Sequence, residues 1–271
     1  MLSGPLRALL ALLIAGHALT GTMLYVAPAW AAANFAWKIS PFVAMTMGGW
    51  CLGTAIAGFI VLRRGDWARM LCAILYLALF GLFEAGVLVA FRALIKTESP
   101  LALLYLGTIA LNVVFAIAAV VEALRRGDVV KQAGARFGAG TMAWVIGFVI
   151  LVGFLGLYGL LAVPGMRGLN ASIFPEVLTP FSLRAFGAFY LALALAVIPM
   201  IAQRGMDNLV SHGFAMYALI VLITLAAFVF IGQFDFANRP TQLTYIGIYL
   251  LVGAAVAFYL AKYGTGAAAR K

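Results

Sequence analysis

Apolar residues come in eight long runs separated by short polar or glycine-rich segments. A helix rises 1.5 Å per residue, so about 20 residues cross the roughly 30 Å of a bilayer's hydrocarbon core. The runs predict helices over residues 6–26, 42–62, 70–91, 101–124, 141–163, 181–202, 211–231 and 243–261. Pro199 lies near the end of the sixth and is expected to kink it, because proline removes a backbone donor. The pattern predicts an all-α integral membrane protein with eight transmembrane helices.

Two stretches read alike. Ser40-Pro41-Phe42 and Thr179-Pro180-Phe181 each open an apolar run, at an offset of 139 residues. At that offset Gly48 meets Gly187, Leu52 meets Leu191 and Ala55 meets Ala194. Small adjustments bring Arg64-Gly65 onto Arg204-Gly205 and Tyr76 onto Tyr217. At an offset of 140, Ser99-Pro100 meets Arg239-Pro240, and Leu103, Tyr105 and Gly107 meet Leu243, Tyr245 and Gly247. The expected organisation is a tandem 4+4 repeat: residues 1–124, a basic linker over 125–140, and residues 141–271. Four helices is an even number, so the copies insert in the same orientation, as parallel repeats related by an axis along the membrane normal.

Composition sharpens this picture. Hydrophobic residues make up 66% of the 271 and charged residues 10%, well below the quarter typical of soluble domains. The net charge of +10 does not point to nucleic acid, because the Lys and Arg residues sit in short segments between apolar runs. Twelve of the 18 fall on the side that carries the termini. By the positive-inside rule both termini are expected in the cytoplasm, in a bacterial inner membrane. Arg7, the following apolar run and the Ala-rich segment near residue 30 imitate a signal peptide, but the repeat needs this first helix, so cleavage is not expected. The two cysteines, Cys51 and Cys72, fall at different depths and are expected to be unpaired packing residues.

Few groups inside the runs can carry chemistry. An ionisable residue at the centre of a membrane helix costs about 3 kcal/mol on insertion scales, so each is a functional candidate. Glu84 in the third helix and Arg184, one turn into the sixth, are expected to pair as a clamp or a binding site; Arg184 stands where the first copy has Met45. His17, midway along the first helix, is the candidate ligand for a pigment or haem, against the commoner role of a hydrogen-bonded packing residue. His212 is predicted at the inner end of the seventh helix, so two imidazoles do not share one depth. Asn112 is expected to bond across to a neighbouring helix, and Glu122 to meet Arg125 or Arg126. Arg167, Asn170, Glu176, Asp235, Asn238 and Arg239 are expected in loops on the far side, as a polar cap or as solvated residues. There is no Cys/His metal spacing, phosphate-binding glycine loop or Ser/His/Asp set.

The pattern Thr-Pro-Phe-x-x-Arg-x-x-Gly over 179–187 resembles one in uncharacterised bacterial polytopic membrane proteins. The resemblance covers the sixth helix and its approach, and implies no activity; the first copy lacks the Arg. Two functions are expected from the residues. One is a non-catalytic membrane subunit or scaffold, packing against partner helices, lipid or pigment. The other is a small-solute transporter or facilitator with its site between the halves. A water-wide polar cavity there would favour transport; a solid interface of small residues would favour the scaffold.

Overall fold

The computed structural model describes residues 1–127, 130–161 and 173–268. Eight helices among them are long and apolar enough to cross a membrane, and the chain is an all-α, multi-pass membrane protein. They are α1 (Gly4–Val26), α3 (Pro41–Arg64), α4 (Trp67–Ala90), α5 (Pro100–Arg126), α6 (Ala139–Leu160), α7 (Pro180–Gln203), α8 (Met206–Val229) and α9 (Leu243–Ala268). A short α2 (Pro28–Ala33) follows α1. Helix α7 continues through Pro199 to Gln203. Several helices outrun their apolar runs. The largest difference is at the end of α9, seven residues past the predicted 261; α8 starts five residues before the predicted 211, because Asp207 and Asn208 form its first turn and an acidic residue there suits the helix dipole.

Three helices start on the same device. Ser40, Ser99 and Thr179 each accept a hydrogen bond from the backbone N–H three residues on, at 3.1, 3.2 and 3.1 Å, and each is followed by proline. Proline at the first helical position loses no bond, since that N–H has no partner inside the helix. Removing such a cap costs about 1 kcal/mol. Thr179→Ala is therefore expected to lower thermal stability by about that amount, and Thr179→Ser to leave a melting curve in mild detergent unchanged.

Glycines set the closest approaches. Gly21 of α1 faces Leu52, and a methyl group added to it would lie 2.7 Å from the Leu52 amide nitrogen. Gly48 comes as near to Tyr25. In α6 and α7 the matching contact sets Gly156 against Leu191 at 2.6 Å, and Gly159 against Gly187. With no hydrophobic drive between helices in lipid, such van der Waals proximity supplies much of the association.

The two halves also interlock. Helix α3 packs on α8 and α4 on α7. A methyl group on Gly53 would lie 2.5 Å from the Leu219 Cα, and Gly49 faces Ile223. Beside this seam the Trp50 indole stacks on Phe189 at 4.4 Å and meets the edge of Phe186 at 4.6 Å.

At the face that carries the termini, residues 133–137 run beside the α7–α8 turn. Phe137 N–H donates to the Arg204 carbonyl (2.9 Å) and Met206 N–H to the Ala135 carbonyl (2.8 Å). Buried Asn208 holds this junction together. It accepts from Ala133 N–H at 2.7 Å and donates to the carbonyls of Ala68 (2.8 Å) and Lys131 (3.3 Å). Gln203 also donates to Ala68, and Arg69 lies 3.5 Å from Asp207. The connector between halves is thereby bonded to the α7–α8 turn and, through Asn208, to the start of α4.

Candidate functional site

Polar groups inside the spans gather between α1, α3, α4 and α5. Glu84 is fully buried, and its Oε2 accepts from the Tyr105 hydroxyl at 3.2 Å. Its Oε1 has no hydrogen-bond partner among the described residues. Tyr105 lies five residues into α5 and Glu84 six residues from the end of α4, so both sit about 8–9 Å inside the same face. Tyr76, also buried, bonds Thr54 at 2.8 Å.

The expected Glu84–Arg184 ion pair is not formed. Ion pairs among the described residues are Arg69–Asp66, Arg69–Asp207 and Arg126–Glu122. The Arg184 guanidinium instead lies over the Phe91 ring, 5.0 Å from its centroid. Phe91 stacks on Phe181 at 4.7 Å and Phe181 on Trp37 at 4.2 Å. Trp37 Nε1 donates to Ser182 at 3.2 Å. The Thr-Pro-Phe-Ser-Leu-Arg stretch is thus a structural corner that caps α7 and ends a column of rings.

The other candidates fall as follows. His17 is buried beside Asn112, whose Nδ2 lies 3.3 Å from His17 Nε2, and the bond joins α1 to α5 as expected of Asn112. Donation to Nε2 places the proton on Nδ1, which has no partner among the described residues, as is true of Asn112 Oδ1. The ring also meets Phe80 at 5.8 Å. A metal could take Nε2 only by displacing Asn112. Among the described residues no three His, Cys, Asp or Glu residues group as a metal site. Glu122 pairs with Arg126 and accepts from the backbone and hydroxyl of Ser3, so it fastens the N-terminus to the end of α5. On the opposite face Ser40 donates to Glu176, joining the α3 start to the second half; burial pushes the Glu176 carboxyl up, and the Ser40 bond offsets part of this. Asp235 accepts from Asn238, which holds its carboxyl below the usual range. Arg167 and Asn170 lie outside the described residues.

The Glu84 environment makes a checkable statement. In Glu84→Gln the amide oxygen can keep the Tyr105 bond, whereas Glu84→Leu leaves a buried hydroxyl unpaired at a cost of about 1–3 kcal/mol. Thermal melting is expected to rank wild type and Glu84→Gln together, with Glu84→Leu lower. Equal melting of all three would show that the Tyr105 bond contributes nothing.

The second feature is a cavity of about 720 Å³, bounded by α6, α7, α8 and α9. Its wall is almost wholly apolar, from Trp144 and Phe148 on α6 to Val252 and Val256 on α9. Four of its hydroxyls are bonded in pairs, Tyr190 to Tyr249 at 2.8 Å and Thr141 to Tyr259 at 3.0 Å, while the Tyr245 hydroxyl has no partner among the described residues. His212 also lines it, and His212 Nδ1 has no partner among the described residues. No sequence signal marks this cavity, because a run of apolar residues looks the same whether it meets a helix, lipid or a void. Comparison of the chain with models of protein families, with curated proteins and with solved structures finds no match.

Proposed function

We propose that this chain is a non-catalytic membrane subunit or scaffold, built from two copies of a four-helix unit, with both termini in the cytoplasm of a bacterial cell. The observation that carries the reading is the seam between halves. It is filled by Gly49 and Gly53 against α8 and by Trp50 stacked on α7, an interface of small and aromatic groups instead of a water-wide polar space. The buried polar groups join helices to each other: His17 with Asn112, Glu84 with Tyr105. The repeat is supported by helix pairing, since α1 on α3 matches α6 on α7, and α3 on α8 matches α4 on α7. Twelve basic residues on the terminal side support the orientation. Exposed apolar residues along α5, including Val114, Ile117 and Val121, give lipid or a partner helix a surface to pack on.

The test is extraction in native membrane discs without detergent, followed by identification of co-purifying proteins. A subunit is expected to bring a partner at fixed stoichiometry. A chain recovered alone, which when reconstituted passes a small solute across liposomes, would replace this reading with that of a facilitator.

A further inference from the structure

We propose that the cavity between α6 and α9 is a binding site for one hydrocarbon chain of a membrane phospholipid. The site does not depend on the subunit reading; it follows from how the second half departs from the first. In the first half α1 packs directly on α5. Gly16 fits against Thr108, and His17 bonds Asn112. The contacts of Gly21 on Leu52 and Gly156 on Leu191 set α1 against α6 at an offset of 135, given the repeat offset of 139 between the two leucines. Gly16, His17 and Thr20 then correspond to Leu151, Val152 and Leu155, and Thr108 and Asn112 to Ile248 and Val252. All five second-half residues line the cavity. Where the first half is closed by polar contacts, the second is apolar on both sides and stands open. Helices α6 and α9 are joined near the terminal face by Thr141 and Tyr259.

Shape and chemistry select the occupant. On α9 the lining runs from Tyr245 to Tyr259, about 21 Å at 1.5 Å per residue. A volume of 720 Å³ over that length averages about 7 Å across. A 20-residue helix with its side chains is about 10 Å wide and 30 Å long, roughly 2,000 Å³ or more, and does not fit. The volume lies in the range of small-ligand pockets, about 300–1,000 Å³. A polar solute would lose its hydration here and find four hydroxyls already bonded in pairs, with only the Tyr245 hydroxyl and His212 Nδ1 unpartnered among the described residues, which is unfavourable. An apolar chain would restore the van der Waals contacts that an empty cavity forfeits. Trp144, Leu151 and Leu251 line the space and are exposed on membrane-spanning helices, so the route in is lateral, from the bilayer. His212 Nδ1, two turns into α8 and without a partner among the described residues, offers one donor or acceptor to the ester end of such a chain.

The full-length protein would be delipidated in dodecyl maltoside, exposed to palmitoyl-oleoyl phosphatidylglycerol, washed, and weighed by native mass spectrometry. Wild type is expected to keep one phospholipid per chain. Val252→Trp, which fills the space, is expected to lower that occupancy at least tenfold. Leu12→Trp, on an exposed face of α1, is expected to keep it. A second measurement needs no variant: a phosphatidylglycerol bearing a photoreactive diazirine in its acyl chain is expected to label Phe148, Val197 or Val252. The site is overturned by a wild type without retained lipid, by Val252→Trp holding as much as wild type, or by labelling confined to outward-facing residues. Loss of a protein partner from Val252→Trp with lipid retention unchanged would also overturn it. Failure of lipid retention while a partner still co-purifies would leave the subunit reading standing.

Discussion

Gly187→Val is expected to yield little folded protein. At Gly187 the helices α6 and α7 meet backbone to backbone: a methyl group placed there would strike the Leu160 amide, the Gly159 carbonyl carbon and the Gly156 carbonyl oxygen. No side-chain rotation relieves contact with main-chain atoms, so the helices must separate along their length. Overpacking in a core costs about 1–3 kcal/mol and occasionally more; this position belongs at or above the upper end. Size-exclusion profiles of the solubilised protein should show most of Gly187→Val as aggregate, with Gly187→Ala intermediate. Gly86 is the control, because nothing lies within 4 Å of a methyl group there. Gly86→Ala is expected to be neutral or slightly stabilising, since alanine is the better helix former by about 1 kcal/mol. If Gly187→Val is as monodisperse as wild type, α6 and α7 do not pack as described.

Asn208→Leu is expected to lower stability by about 2–4 kcal/mol, because it removes three bonds and leaves the Ala133 N–H and the Lys131 carbonyl without this partner. Asn208→Asp keeps the acceptor and loses the donors, so it should fall between. The readout is paired: a melting curve, and limited proteolysis of the connector between α5 and α6. Residues 131–133 are held by Asn208, so Asn208→Leu should be cut in this segment faster than wild type. A variant that melts lower without faster cutting would separate Asn208 from the connector.

Much of this architecture was legible because hydrocarbon imposes a simple rule. Length and apolarity mark a span, and Ser-Pro or Thr-Pro marks where one begins; Ser40, Ser99 and Thr179 all cap helices. Asn112 bonding across to α1 and Glu122 meeting Arg126 were legible for the same reason, since a polar group in an apolar setting must find a partner. The Glu84–Arg184 pair was not. Opposite charge at similar depth suggested it, but depth along the membrane does not say which face of a helix a residue occupies. Glu84 turns toward α5 and Arg184 toward Phe91. Asn208 was hidden by hydropathy, which assigned it to a loop when it belongs to the first turn of α8. The cavity was hidden because the residues lining it are the same kinds that fill a solid interior.

The crossed pairing of halves bears on how the chain is made. Helix α3 is completed by α8, and α4 by α7. Synthesis delivers the first four helices before their partners exist. Gly49, Gly53 and Trp50 must then face lipid or the insertion machinery until more than a hundred further residues have emerged. The nascent first half is a waiting form, and changes along the α3 surface will be felt first in biogenesis, as degraded or misinserted chain, before they are felt in the finished protein.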